Sequence, residues 1–310
     1  MNRKKITTTH FREMKEKSEK LTMLTAYDFS MAKAFDHVGI DALLVGDSMG
    51  MVIYGQDSTL HVTMDDMVRH TQAVARATEH AMVIADMPFM SFAIPEDGVR
   101  NAGRCIAEGY ADAVKLEGGR ERVPVIKMMI NCGIAVMGHI GLTPQYFNQM
   151  GGYKLQGKDA IAAERLVEDA LLLEAAGVFA IVLEMVPWQI AQEISARLHI
   201  PTIGIGAGAG CDGQVLVAQD MLGFSDNKPF KFVKKYADIW GTMVAATQEY
   251  IHDVKGQTFP SPANSFNIAD DELAMFHQSL ANNPNIGTKP AHSVKKDEAP
   301  EEHVSKIYGN

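Results

Sequence analysis

A closed (β/α)8 barrel is the fold class that this sequence predicts, and three observations predict it. Short apolar runs of strand length, rich in Val, Ile, Leu and Ala, recur eight times along the chain. Segments whose apolar residues repeat at helical spacing separate them. Four of the runs end in an acid: LLVGD at Asp47, VIAD at Asp86, VKLE at Glu117 and IVLE at Glu184. Strands that are apolar throughout are buried on both faces, and their alternation with helices makes the sheet parallel. Eight such units within 310 residues suit closure into a barrel. An open doubly wound sheet is the alternative.

In order, strands are expected at 22–28 (TMLTAYD), 42–48 (ALLVGDS), 81–87 (AMVIADM), 113–118 (AVKLEG), 135–141 (AVMGHIG), 180–186 (AIVLEMV), 202–208 (TIGIGAG) and 214–220 (QVLVAQD). Helical patterns lie between them: FSMAKAFDHVG, TMDDMVRHTQAVARATEH, PEDGVRNAGRCIAEG, KDAIAAERLVEDALLLEAAG and WQIAQEISARLH. Several end in Gly or near a His, as helix C-termini do. Residues 1–264 are read as the barrel. After Phe259 the composition turns polar: PSPANSFN is turn-like, DDELAMFHQSLANN suits a short amphipathic helix, and the remainder has no core-forming pattern. Residues 265–310 are therefore expected to be a polar C-terminal extension, flexible or docked on a neighbouring subunit.

Composition narrows the function. Lys and Arg number 29 against 38 Asp and Glu, a net charge of −9. Nucleic-acid binding needs a basic stripe, and anionic membranes attract cations, so both are disfavoured. No apolar run approaches the ~18 residues of a spanning helix. The N-terminal MNRKKITTTHFREMKEKSEK is basic but has no apolar stretch behind it, and Glu13, Glu16 and Glu19 argue against a transit peptide. Cys105, Cys132 and Cys211 form no CxxC pair and read as reduced thiols. A cytoplasmic protein acting on small molecules is the expectation.

In a (β/α)8 barrel the active site lies at the C-terminal ends of the strands, where the four acids fall. An ionised carboxylate is costly to bury unless it is paired or bound to a metal. Asp47, Asp86 and Glu117 offer hard oxygens suited to Mg2+, which takes few carboxylates and leaves positions for water and substrate. For each acid taken alone, capping of the next helix is the alternative. Lys115 and Glu117 are two apart and share a face. A buried lysine needs a partner, so Lys115 either pairs with Glu117 or neutralises an anionic substrate. Ser48 is a candidate donor to a substrate carboxylate, or else a turn hydroxyl. His139 lies level with the acids, although a lone histidine at a strand end is often a satisfied core residue. Glu184 sits among apolar neighbours, which should raise its proton affinity and suit it to general-base work on a weak carbon acid. Arg165 and Arg197 read as surface residues. The stretch Gly204–Gly210 lacks dinucleotide-binding spacing and reads as backbone approaching the barrel mouth. Polar loops at 54–63 and 150–158 are expected to close on the site.

The motifs LTAYD (24–28), LVGDSMGM (44–51), GQDSTLHVT (55–63), ADMPFMSF (85–92), VKLEGG (114–119), GHIGLTPQ (138–145), GGYKLQG (151–157), LEMVP (183–187) and IGIGAGAGCDGQVLV (203–217) together resemble the ketopantoate hydroxymethyltransferase family. The resemblance spans about residues 6–266. It implies a barrel of the phosphoenolpyruvate/isocitrate lyase type, one Mg2+ per subunit and a homo-oligomer, typically a decamer. Carried over, Asp47 and Asp86 bind the metal and Glu117 acts at it through water. Ser48 and Lys115 bind the keto acid, Asp47 and Asp86 also line it, His139 lies beside it, and Glu184 is the proton acceptor. The implied reaction moves a hydroxymethyl group from 5,10-methylenetetrahydrofolate to 3-methyl-2-oxobutanoate, giving 2-dehydropantoate through a Mg-stabilised enolate. One rival is a metal-dependent lyase or carboligase acting on another 2-oxo acid, which would not need tetrahydrofolate. The other is a silent barrel serving as a binding module, which would neither hold a divalent ion nor exchange a substrate proton.

Overall fold

The computed structural model describes residues 4–283. Strands β1 (Leu21–Thr25), β2 (Ala42–Val45), β3 (Met82–Asp86), β4 (Ala113–Glu117), β5 (Val136–Gly141), β6 (Ala180–Glu184), β7 (Thr202–Ile205) and β8 (Gly213–Leu216) pair in chain order, all parallel, and β8 returns to β1. The sheet is therefore closed, and the open alternative is excluded. All eight expected runs contain a strand, although the end of the last, Ala218–Asp220, starts a helix. β2, β3 and β4 are buried along their whole length, the two-sided burial that a continuous apolar run encodes.

The helices follow from the connecting patterns. α1 (Thr8–Glu16) precedes the barrel, and α2 (Phe29–Val38), α3 (Met49–Val52), α4 (Met64–Ala77), α5 (Pro95–Ala107), α6 (Val123–Asn131), α7 (Phe147–Met150), α8 (Ala160–Ala176), α9 (Trp188–Arg197) and α10 (Ala218–Leu222) lie between or after strands. Asp28, Thr63 and Asp159 accept from N3 backbone amides and start α2, α4 and α8. Gly39 and Gly177, both left-handed, end α2 and α8. α1 and α6 were not anticipated. α6 is so densely apolar (VPVIKMMIN) that its period is blurred. α1 is mostly polar, and Phe11 is its one buried residue.

Two faces of the sheet build two kinds of core. One cluster takes residues from every strand, among them Met23, Leu44, Ile84, Ala113, Met137, Val182, Ile203 and Val215, and fills the barrel interior. Phe11 of α1 joins it and meets Phe179 edge-on at 5.4 Å, so the unanticipated helix packs its aromatic ring on the interior core. The alternate strand positions, such as Leu43, Val83, Val114, Leu116, Ile181 and Leu183, pack outward with helix residues.

The chain divides into two compact units, Met1–Val244 with the barrel and Ala245–Asn310. Helix α11 (Ile239–Lys255) runs across the division. The second unit contains α12 (Asp270–Asn282), the expected amphipathic helix, and a Tyr250–Phe259 ring contact at 5.9 Å. The part of the expected polar extension at 284–310 lies outside the described residues.

Gly141 closes β5 with φ of 97°, and a Cβ there would overlap the carbonyl oxygen of Glu184. Gly141→Ala is therefore expected to destabilise the fold by about 3 kcal/mol, through left-handed strain and overpacking together. Urea unfolding measures this, and a loss below about 0.5 kcal/mol, the range of an ordinary surface substitution, would contradict it.

Candidate active site

The interior positions change character at the C-terminal end of the strands. Met82 and Ile84 are followed two residues on by Asp86, Ala113 by Lys115 and Glu117, Met137 by His139, and Ala180 and Val182 by Glu184. Strand parity thus carries the apolar column of the interior into a layer of ionisable groups. Asp47 comes from the turn after β2. The register sets Asp86 beside Lys115, Glu117 beside His139 and Gly141 beside Glu184. All seven expected residues, Ser48 among them, line one cleft of about 210 Å³. The capping alternative is excluded, because the N-caps of the helices that follow are Ser48, Ile94, Gly119 and Pro187.

Lys115 organises the charges. Its Nζ lies 2.8 Å from Asp86 Oδ1 and 3.2 Å from His139 Nδ1. The pairing of Lys115 with Glu117 considered from sequence is thus replaced by a pair with Asp86, its neighbour across the β3–β4 register. Burial works against the ammonium, but Asp86, Glu117 and Asp47 outweigh it and keep its pKa above the usual lysine range. Burial and the adjacent ammonium push His139 well below 6.5, so its imidazole is neutral. With the ammonium donating into Nδ1, the ring proton is assigned to Nε2, which lies 3.3 Å from Glu184 Oε2.

The acids respond to the same environment. Burial, then the charge of Asp86, raises Asp47 to about 7. Burial and Asp47 raise Glu117 well above 4.5. Burial raises Glu184 to about 7, with Lys115 pulling the other way. Four strand-end carboxylates thus face one ammonium, and the excess negative charge with all-oxygen donors is the chemistry of a hard divalent cation. Asp86 Oδ1 is buried, paired with Lys115 and without an aligned hydrogen bond. Among the described residues no three His, Cys, Asp or Glu side chains are arranged to hold a metal by themselves. Asp47 and Asp86 could supply carboxylate oxygens to such an ion.

Two residues were not singled out from sequence. Gln145 is buried, and its Nε2 donates to Asp47 Oδ2 at 2.8 Å and to the Met87 carbonyl at 2.9 Å. Its backbone N–H donates to Glu117 Oε2 at 3.0 Å. One residue therefore fixes two of the acids. It sits in the 3-10 turn Pro144–Tyr146 after β5, and Pro144 directly behind the strand was the signal available. Tyr27 is the second. Its hydroxyl pairs with Ser48 Oγ at 2.9 Å, and burial holds its pKa well above the usual phenol range, so it stays protonated and fixes the serine. The expected site loops contribute Thr59 and Tyr153 to the cleft. Arg165 and Arg197 are exposed, as expected. The three cysteines are free.

Gln145→Leu keeps the volume but removes the amide. The variant should fold, lose the Asp47 contact, and bind Mn2+ at least about tenfold more weakly, a loss of about 1.4 kcal/mol. Titration with Mn2+ followed by electron paramagnetic resonance measures it, and unchanged affinity would contradict the clamp. The raised pKa of Glu184 makes a separate prediction. A group whose folded pKa lies above its unfolded value contributes stability below pH 4.5 that is lost as pH rises through about 7. In chelator, Glu184→Gln should therefore gain stability relative to the parent between pH 4.5 and 8, on the order of 3 kcal/mol. Calorimetric melting across that range checks the sign, and a pH-independent difference would refute it.

Comparison with known proteins places this geometry. The chain matches the model of the family described as ketopantoate hydroxymethyltransferase over residues 5–262. It is 56% identical over 264 residues to the 3-methyl-2-oxobutanoate hydroxymethyltransferase of Syntrophus aciditrophicus (strain SB), covering 85% of this chain and 97% of that protein. It is 55% identical over 271 residues to the enzyme of that name from Enterococcus faecalis (strain ATCC 700802 / V583), covering 87% and 98%. Among solved structures it resembles phosphonopyruvate hydrolase, with a TM-score of 0.56 and 12% identity over 90% of this chain and 98% of that one. It also resembles 2,3-dimethylmalate lyase, a PEP mutase/isocitrate lyase superfamily member, with a TM-score of 0.54 and 16% identity over 93% and 98%. These likenesses bear out the barrel fold, and the chain belongs to the ketopantoate hydroxymethyltransferase family.

Proposed function

We propose that this enzyme transfers the hydroxymethyl group from 5,10-methylenetetrahydrofolate to 3-methyl-2-oxobutanoate, giving 2-dehydropantoate, with Glu184 as the base. Asp47 and Asp86 would hold Mg2+, and Glu117 would act on it through water. The observation that carries this reading is the separation of the acids by a relay. Lys115 contacts Asp86 on one side and His139 on the other, and His139 reaches Glu184. The Asp47–Asp86 side suits a cation, and Glu184 stands apart from it.

When bound, Mg2+ supplies Lewis acidity to the carboxylate and 2-oxo oxygens of the keto acid and so acidifies C3–H. Ser48, fixed by Tyr27, donates to the substrate carboxylate. Glu184, with its pKa near 7, is partly ionised at neutral pH and basic enough to take the C3 proton. Neutral His139 sets its Nε2 3.3 Å from Glu184 Oε2, close but without an aligned hydrogen bond. Lys115 stays charged and compensates the negative charge that grows on the 2-oxo oxygen. C3 then bonds to the methylene carbon of the donor, whose two bonds to folate nitrogens break. Water supplies the hydroxyl oxygen. One nitrogen regains the proton taken from C3, and the other takes one from the water.

The reading includes a cytoplasmic homo-oligomer, decameric by the family resemblance. In support, no helix among the described residues is long and apolar enough to cross a membrane. α11 and α12 bury no residue and expose Met243, Tyr250, Leu273 and Phe276, apolar surface that further copies of the chain would cover.

The test is exchange of the C3 proton of 3-methyl-2-oxobutanoate in deuterated water, followed by NMR with and without Mg2+. Glu184→Gln should retain Mn2+ and keto-acid binding and lose exchange by about 10²–10⁴-fold. Asp86→Ala should lose the metal itself. Full exchange in the Gln variant would remove Glu184 from the base role.

A further inference from the structure

A run of aromatic rings stands at the mouth of the cleft and has no part in the chemistry of the keto acid. Phe147 and Tyr153 lie 5.1 Å apart, Tyr153 and Phe230 6.5 Å, and Phe230 and Phe232 5.7 Å with planes only 4° apart. Tyr153, Phe230 and Phe232 line the same cleft as Asp47, Lys115 and Glu184. The inner end of the run is anchored. Phe232 lies against the backbone of Gly206, where a Cβ would come within 3.0 Å of the ring and 3.4 Å of the Met185 side chain. Met185 directly follows Glu184, so the rings begin next to the base. The neighbour of Phe232 along the run is open: Phe230 is 54% exposed.

The segment that carries these phenylalanines, DNKPFKFVKKYAD (226–238), reverses the charge of the cleft floor. Lys235 bonds the Ser225 carbonyl at 3.3 Å, and Lys234 lies over the Tyr236 ring at 4.6 Å. Lys228 and Lys231 flank Phe230, are exposed, and have no carboxylate partner among the described residues. An acidic floor with a small-acid site therefore shares its cleft with an aromatic wall, and exposed lysines flank that wall in the chain. A five-carbon keto acid at the carboxylates leaves that wall bare. Flat exposed rings beside unpaired ammonium groups recognise a planar heterocycle with an acidic tail.

We propose that this wall binds the one-carbon donor. The pterin ring of the tetrahydrofolate stacks on Phe230 and Phe232 beside Tyr153, and its glutamate carboxylates meet Lys228 and Lys231. The inference rests on the folate-dependent reading given above. The geometry brings the donor to the reacting carbon, because Phe232 ends beside Met185 and Glu184.

The test compares steady-state kinetics of the full-length enzyme with both substrates varied. Phe230→Ala should raise KM for methylenetetrahydrofolate roughly 5- to 100-fold while KM for the keto acid moves less than twofold, and Phe230→Trp should restore it. Lys228→Ala with Lys231→Ala should raise donor KM at low salt and lose most of that penalty at high salt. The same double variant should no longer distinguish tetrahydrofolate from tetrahydropteroate, which lacks the glutamate. Circular dichroism controls for folding, and tetrahydrofolate binding by fluorescence quenching gives a readout independent of turnover. Unchanged donor KM in all variants, with the parent still dependent on folate, would overturn the wall alone. A parent enzyme indifferent to tetrahydrofolate would overturn the donor reading, and the wall with it.

Discussion

The ion pair between Lys115 and Asp86 is the constraint on which the site depends. Its partners are 2.8 Å apart, with side chains only 4% and 3% exposed. Breaking such a pair by removing one partner costs about 3–5 kcal/mol, because the other charge is left uncompensated. The effect here extends beyond the pair. The same ammonium contacts His139, and that contact assigns the proton of the ring to the nitrogen near Glu184. It also counters the mutual repulsion of Asp47 and Glu117. One cation thus pairs Asp86, assigns the tautomer of the histidine and opposes the rise in proton affinity that burial gives Asp47, Glu117 and Glu184.

Barrel closure makes the arrangement possible. A strand with period two can present Ala113, Lys115 and Glu117 on one face only if its register is fixed, and a slip of one residue would turn all three outward. Pairing on both edges fixes it. The apolar interior below, filled by Met82, Ile84, Met137 and Val182 and joined by Phe11, provides the burial that offsets a layer of poorly solvated charge. Buried acids raised toward neutrality lower stability near pH 7, the trade-off expected where a fold supports a reactive site.

The barrel was legible because its strands are continuous apolar runs, and the acids were legible because each stands where such a run stops. Parity also placed Lys115 and Glu117 together. The partner of Lys115 was not legible: Asp86 lies across a strand pair, and only the register joins them. Gln145 escaped for a related reason. Glutamine carries no charge to mark it as out of place, and its three contacts go to residues 28, 58 and 98 positions away. Helix α6 was hidden by the very density of its apolar residues. The aromatic wall joins Tyr153 to Phe230, from loops far apart in the chain.

The choice of an amide at position 145 follows from the same electrostatics. Asp47 and Glu117 both need donors to hold them, and a second lysine or an arginine would supply them. Either would also neutralise the carboxylate excess that attracts a divalent cation, and would lower the proton affinity that the acids now show. Gln145 gives Asp47 a side-chain N–H and Glu117 a backbone N–H without adding charge. It orients the carboxylates and leaves the field to Lys115, whose single charge pairs with Asp86 and does not match the number of acids around it. A site built to take up a cation needs its anions fixed in place but not fully compensated, and a neutral donor is the residue type that does both.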